Sequence, residues 1–312
     1  MLLRSEPTQK FPLYRPFSHR PMHVAVFGSG SGTILRAMLA AQKKSEEVYG
    51  SSPFVIKLLY TDRACRFQQI ASQENLPLIE HLFADFFKAR GIDDFRDPIA
   101  RKEYDQKGIE LFVKQDTPID FLLLAGYMRI LSTPWLELFS QRILNVHPAD
   151  LTHLDSNGNR KFTGDHAILK ALQDGQKKTR STVILIDERT DTGPIIVSGP
   201  WVTYQGEYPV TKERAAEHQE VQKVQSDWPA CLTALQLISQ GRVEMVSKPN
   251  RLLIDGIEQM PNGYENLSAS FTHDQRGLLY CTHLGTAHLS AVVTNNVLND
   301  PLEERQLTDG LL

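Results

Sequence analysis

Asn145 and His147 lie two residues apart in Leu144-Asn145-Val146-His147-Pro148, and Asp191 follows in Asp191-Thr192-Gly193-Pro194. In an extended segment, residues i and i+2 face the same way, so the amide and the imidazole share one side of a strand. An amide hydrogen-bonds an oxyanion, an imidazole moves a proton or stabilises charge, and a carboxylate holds the imidazole and raises its pKa. Together they form a kit for acyl transfer. Each alone has a plainer reading: Asn and Asp are turn formers, and a lone His is commonly structural.

These residues need a scaffold, and the flanking pattern supplies one. Phe121-Leu122-Leu123-Leu124-Ala125-Gly126 is a continuous apolar run that reads as a buried strand, and Thr182 to Ile186 reads as another. His23 to Phe27 is a first strand that runs through Gly28-Ser29-Gly30-Ser31-Gly32-Thr33 into a helix with Ile34, Leu35, Met38 and Leu39 on one face. Such a turn lets backbone N–H groups approach a phosphate at the helix N-terminus. The dinucleotide fingerprint is incomplete, because its third glycine is Thr33, and the Lys of a P-loop is missing. On these residues alone, a phosphate cradle and a ligand-free turn both stand open.

Further strands are expected at Pro53 to Tyr60, Leu76 to Ile79 and Ile195 to Val197, with Trp201 and Val202 continuing the last of these. Arg101 to Gln115 reads as a helix whose apolar face carries Tyr104, Ile109, Phe112 and Val113. His81 to Pro98 reads as a surface insertion with locally packed aromatics. Lys212 to Gln240 reads as one long helix broken at Pro229, and Val243 to Val246 with Arg251 to Ile254 as a closing hairpin. Asp150 to Thr163, rich in Asn, Asp, Gly and Lys, is a loop beside His147 and hence a candidate lid. Short strands are expected at Leu278 to Tyr280 and Ala291 to Val293. Alternating strands and helices give an α/β class with a mainly parallel sheet. Ligands bind beyond the carboxyl ends of such strands, where Gly28 to Thr33, His147 and Asp191 are all expected to fall.

Composition narrows the classes. The chain has 312 residues, 23% charged and 41% hydrophobic, in the range of soluble globular proteins. A net charge of -3 gives no reason to expect nucleic acid as a partner. No apolar stretch is long enough to span a bilayer, and Met1 to Pro7 has no signal-peptide core. Cys65, Cys231 and Cys281 have no CxxC spacing, as expected of reduced thiols in a cytoplasmic protein. The histidines show no ligand spacing, so no metal is expected.

Three ordered motifs carry a resemblance: Leu124-Ala125-Gly126-Tyr127-Met128-Arg129-Ile130-Leu131-Ser132, then Leu144 to Pro148, then Asp191-Thr192-Gly193-Pro194-Ile195-Ile196. Arg101-Lys102-Glu103-Tyr104-Asp105 and Asn262-Gly263-Tyr264 add to it. From about His23 to Tyr264 the chain resembles the folate-dependent formyltransferases, most closely those acting on phosphoribosylglycinamide in purine biosynthesis. The resemblance implies a Rossmann-like sheet with helices on both faces. It implies an arm over 1–22, a catalytic domain over 23–264 and a C-terminal extension of open role over 265–312. The implied reaction moves a formyl group from 10-formyltetrahydrofolate, as co-substrate, to an acceptor amine. Asn145, His147 and Asp191 fall on the family's catalytic triad. Met128, Arg129, Ile130 and Leu131 fall on one wall of the folate site, and Val183, Ile186, Asp187 and Thr190 on the other. Gly30, Ser31, Gly32 and Thr33 fall on the loop for the acceptor phosphate. The expected partners are small molecules, in a monomer or homodimer without nucleic acid or membrane. Rival readings are transfer to another amine such as a nucleotide-linked amino sugar, hydrolysis of the formyl-folate, a nucleotide-binding oxidoreductase, and a folate binder without turnover.

Overall fold

The computed structural model describes residues 10–17, 19–246 and 251–259, and the backbone of 264–265. The predicted strands at 278–280 and 291–293, the 265–312 extension beyond Glu265 and Cys281 lie outside the described residues. The first half of the chain alternates as its pattern predicts. A short strand β1 (Lys10–Pro12) leads to β2 (Met22–Gly28), α1 (Thr33–Tyr49), β3 (Phe54–Thr61), α2 (Arg66–Glu74) and β4 (Leu78–Glu80). Then come α3 (Phe83–Lys88), α4 (Pro98–Val113), β5 (Phe121–Leu124), α5 (Thr133–Leu138) and β6 (Ile143–His147). The second half has α6 (Ala167–Gln173), β7 (Lys178–Thr179), β8 (Thr182–Leu185), β9 (Ile195–Ser198), β10 (Val202–Thr203) and α7 (Lys212–Gln222). A π-helical turn (Lys223–Asp227), α8 (Trp228–Ser239), β11 (Val243–Val246), β12 (Arg251–Ile254), β13 (Ile257–Glu258) and β14 (Tyr264–Glu265) complete it.

Eight strands form the central sheet in the order β14-β9-β8-β6-β5-β2-β3-β4. All its ladders are parallel except those of β8, which runs antiparallel to both β6 and β9. The mixed α/β architecture is therefore the expected one, with a single reversed strand beside the candidate site.

The two faces are filled by alternate residues, as a period of two requires. Val24, Val26, Phe121, Leu123, Leu144, Val146, Val183 and Leu185 pack on one face with Leu35 and Met38 of α1, Phe67 and Ile70 of α2 and Leu235 and Ile238 of α8. Each fully buried side chain of this kind stabilises by about 1.5–3 kcal/mol. Ala25, Phe27, Leu122, Leu124 and Ile143 face the other way, against Phe112 of α4 and Trp135 of α5. Asn145 and His147 continue the parity of Ile143 and so belong to this second face.

Several expectations need correction. Phe83, Phe86 and Phe87 are buried with Tyr104, so the 81–98 segment is in part core, although Phe95 is 51% exposed. Val113 is exposed, outside the apolar face assigned to it. The expected hairpin of β11 and β12 does form, and β1 of the N-terminal arm pairs with β11 to extend it into a sheet separate from the central one. Val202 does not extend β9. It starts β10, which pairs with β7 in a two-stranded ribbon. The long helix is interrupted by the π turn just before Pro229, which sits in the first turn of α8, where its missing N–H costs no hydrogen bond.

Candidate active site

β6 places Asn145, half-buried, and His147, buried, on the sheet face that also carries α4 and α5. Across the antiparallel ladder, Asn145 faces Ile184 and His147 faces Thr182. Because β8 is reversed, its carboxyl end lies beside Leu144, not beyond the strand tips. Asp191 therefore does not reach the site in the way expected of a parallel sheet. The segment from Ile186 to Pro194 must turn back over the face to bring it there. Gly193 makes that return possible, since a Cβ at this position would lie 1.7 Å from the Leu185 carbonyl oxygen. Asp191 itself holds φ of 54°, in the left-handed region.

The three side chains meet. The Asn145 Nδ2 donates to Asp191 Oδ1 at 3.3 Å, and His147 Nδ1 lies 3.4 Å from Asp191 Oδ2. The Gly164 amide donates to the same Oδ2 at 2.8 Å. On the far side of the ring, His147 Nε2 is 2.7 Å from the Phe162 carbonyl. A carbonyl only accepts, so Nε2 carries the hydrogen. Burial pushes the His147 imidazole below its ordinary pKa, while Asp191 and the Phe162 carbonyl pull it upward. The neutral ring then leaves a lone pair on Nδ1, next to Asp191. This arrangement makes His147 a proton acceptor, with the resulting imidazolium paired to a carboxylate. It offers no free donor from His147 before that proton arrives. The uncommitted N–H of the Asn145 amide is the donor available to an oxyanion.

The segment Met128–Leu131 is fixed by Ser29 of the glycine turn, by Asp62, and by Arg101 and Asp105 of α4, none of which was assigned this role from the sequence. Ser29 Oγ accepts from the Met128 amide at 3.0 Å, and Arg129 Nε donates to Asp62 at 2.7 Å. The Arg129 guanidinium also lies 4.0 Å over the Phe83 ring. Burial pushes the Asp62 carboxyl up, but hydrogen bonds from Ser29, Arg63 and Arg129 outweigh it and keep the group below its ordinary value. From α4, Arg101 donates to the Ile130 carbonyl at 3.3 Å and Asp105 accepts from the Ser132 amide at 2.6 Å. Positions i and i+4 of one helix thus hold both ends of a short backbone stretch. Held this way, Met128 and Ile130 stay 57% and 60% exposed, an apolar rim beside the site. Leu131 is buried beneath them.

On the opposite rim, Ile186 is half-buried and packs beside Leu151, Ile184 and Ile195. Asp187 Oδ1 accepts from the Thr192 hydroxyl and the Arg189 amide, and Thr190 is exposed. Val183 is a correction. Its side chain is fully buried in the cluster on the other face, so it is core and not pocket wall. The residue of β8 that faces the site is Ile184.

Gly30 and Ser31 are exposed ahead of α1, and Gly32 caps that helix at φ of 69°. No side chain caps its N-terminus, and its first turn holds no acid, so its N–H groups point to the surface loop. A Cβ on Gly28 would enter the Phe67 ring at 2.2 Å, which ties that glycine to packing. Among the described residues, no group of His, Cys, Asp or Glu is arranged to hold a metal ion, and no helix is long and apolar enough to cross a membrane.

Comparison with known proteins gives this geometry a family. The formyl transferase family model matches residues 22–226, roughly two thirds of the chain. A phosphoribosylglycinamide formyltransferase of Mycobacterium tuberculosis is 32% identical over 187 residues, covering 60% of this chain and 74% of that protein. One from Haemophilus influenzae is 25% identical over 244 residues, covering 78% of this chain and 98% of its own length. The structure of a phosphoribosylglycinamide formyltransferase from Coxiella burnetii superposes with a TM-score of 0.58 at 20% identity, over 79% of this chain and 99% of that one, a likeness of fold. The chain belongs to the formyl transferase family.

Proposed function

We propose that the protein transfers the formyl group of 10-formyltetrahydrofolate to the amine of phosphoribosylglycinamide, a step of purine biosynthesis. The observation that carries this reading is the meeting of Asn145, His147 and Asp191 on one face of the sheet. The exposed apolar pair Met128 and Ile130, with Ile186, Asp187 and Thr190 opposite, suits a flat heteroaromatic co-substrate with polar edges. Gly30 to Thr33, ahead of an uncapped helix, suits the acceptor phosphate. The names of the relatives point to the same acceptor.

When bound, the folate supplies an activated formyl carbon. The neutral acceptor amine attacks that carbon, a C–N bond forms, and the bond to the folate nitrogen breaks. Asn145 donates its free N–H to the developing oxyanion, an interaction of a kind whose loss typically costs about 10²–10³ in rate. His147 takes the amine proton on Nδ1, and Asp191 holds the imidazolium until the proton passes to the departing nitrogen. Phe162 fixes the tautomer through its carbonyl.

The test is to mix the purified protein with 10-formyltetrahydrofolate and follow loss of the formyl group by absorbance. Separate samples hold phosphoribosylglycinamide, a panel of amino-sugar nucleotides, or no acceptor. Turnover dependent on phosphoribosylglycinamide is expected. Turnover only with another amine, or without any acceptor, would overturn the assignment of acceptor.

A further inference from the structure

The segment after Pro148 is a built hairpin. The Asp155 carboxylate accepts from the amides of Asn157 and Asn159, each at 2.9 Å, and Gly158 turns the chain at φ of 80°. Leu154 bridges Arg160, and the Lys161 amide donates to the His153 carbonyl at 2.9 Å. Alternation then sorts the side chains of the returning arm. Lys161 points outward to Asp174 at 2.6 Å. Phe162 points inward, buried with Ala149, Ala167 and Ala171, and its carbonyl meets His147. Arg160 shares the inward parity, and its Nη1 donates to the Asp191 carbonyl at 2.6 Å.

We infer that Arg160 is a positioning residue for formyl transfer, clamping the backbone of Asp191 so that its carboxylate stays on Asn145 and His147. The inference rests on reading Asp191 as the catalytic carboxylate. Asp191 holds φ of 54°, a left-handed conformation that Asp tolerates better than most residues but that leaves the direction of its carboxylate to be set by its neighbours. Here the hairpin grips Asp191 at two points, through Arg160 on its carbonyl and the Gly164 amide on its carboxylate. The bond from Arg160 is charge-assisted and half-buried, and both Asp187 and Asp191 attract the guanidinium. The hairpin and the Ile186–Pro194 segment therefore hold one geometry together, with His147 between them, bonded to the Phe162 carbonyl on one side and facing Asp191 on the other. Arg160 acts through Asp191 and touches none of the reacting atoms.

The experiment compares Arg160→Gln, Arg160→Lys, Asp191→Asn and the Arg160→Gln/Asp191→Asn pair in the full chain. Displacing a catalytic group by about 1 Å costs on the order of 10²-fold, so Arg160→Gln is expected to lower kcat by about 10- to 100-fold. The KM for phosphoribosylglycinamide should stay within about twofold, and Arg160→Lys, which keeps a cationic donor, should recover part of the loss. The double variant should be no slower than Asp191→Asn alone, because one residue acts through the other. Hydrogen exchange of the ligand-free protein should show faster exchange at the Gly164 amide in Arg160→Gln. Unchanged kcat, a loss confined to the acceptor KM, multiplied losses in the double variant, or unchanged Gly164 exchange would each overturn the inference. If the wild type transfers formyl to no acceptor, the functional reading fails, and Gly164 exchange still judges the clamp. Should Arg160→Gln fail to fold, Arg160→Lys carries the test by itself: against wild type it should show a lower kcat, an acceptor KM within about twofold and faster Gly164 exchange, and an unchanged kcat or unchanged exchange would overturn the inference.

Discussion

Changing Asp191 to Asn removes a charge and one acceptor while keeping the shape. The two carboxylate oxygens serve different donors: Oδ2 takes the Gly164 amide at 2.8 Å, and Oδ1 takes Asn145 at 3.3 Å. An amide must turn its NH2 toward one of them. The shorter bond to Gly164 is the one to keep, so the NH2 faces the Asn145 amide and pushes it from its place. The imidazolium formed during transfer also loses its counter-charge. At 3.4 Å that attraction is worth about 5 kcal/mol with an effective dielectric of about 20, and desolvation offsets part of it. A net loss of about 3–4 kcal/mol lowers kcat by about 10²–10³. Thermal unfolding should move little, since the Gly164 contact survives. Asp191 raises the pKa of His147, so its removal should also shift the acid limb of the rate profile to lower pH. Steady-state absorbance assays from pH 5 to 8 read both effects. A kcat within about threefold of wild type, with the acid limb unmoved, would refute the role given to this carboxylate.

Other perturbations separate packing from chemistry. Gly193→Ala places a Cβ 1.7 Å from the Leu185 carbonyl oxygen, so the variant should lose both turnover and thermal stability, read by kcat and unfolding midpoint. Gly30→Ala meets nothing within 4 Å and should keep its midpoint while raising the KM for the acceptor, if this turn holds the phosphate. Asp105→Ala removes the acceptor of the half-buried Ser132 amide; about 1 kcal/mol of stability should be lost and the folate KM should rise, as denaturant titration and kinetics would show. His81 is buried and its pKa is pushed down to about 4, so the unfolded chain binds more protons between that value and about 6.5. Stability is therefore full above about pH 6.5 and declines toward pH 4, by up to about 3 kcal/mol from this group. Wild type and His81→Gln compared by urea titration across this window should differ in slope.

Much of this architecture is legible in residue order. The apolar runs at Phe121 and Val183 and the glycine turn after Phe27 each mark an element that the structure contains. The i, i+2 spacing places Asn145 and His147 on one face. What the pattern does not contain is direction. A four-residue strand such as Thr182–Leu185 reads the same whether it runs with or against its neighbours, so the reversal of β8 and the return path of Asp191 stay hidden. Periodicity also fails to sort Val183 from Ile184, because a strand buried on both faces shows no alternation. Asp62, Asp105 and Arg160 are missed because their roles are long-range, linking segments far apart in the chain. Arg101 and Asp105 left a signal all the same: the Arg-Lys-Glu-Tyr-Asp run belongs to the family resemblance, and the i, i+4 pair within it is what grips the Ile130–Ser132 backbone.

The central claim is that this face of the sheet moves a formyl group from folate to the amine of phosphoribosylglycinamide. Carbon NMR with the donor labelled at the formyl carbon tests it most directly. The account predicts that the label appears as the formamide of the acceptor, at a rate that falls by about 10²–10³ in Asp191→Asn. Label released as free formate, or label left on the folate while phosphoribosylglycinamide stays unmodified, would contradict it.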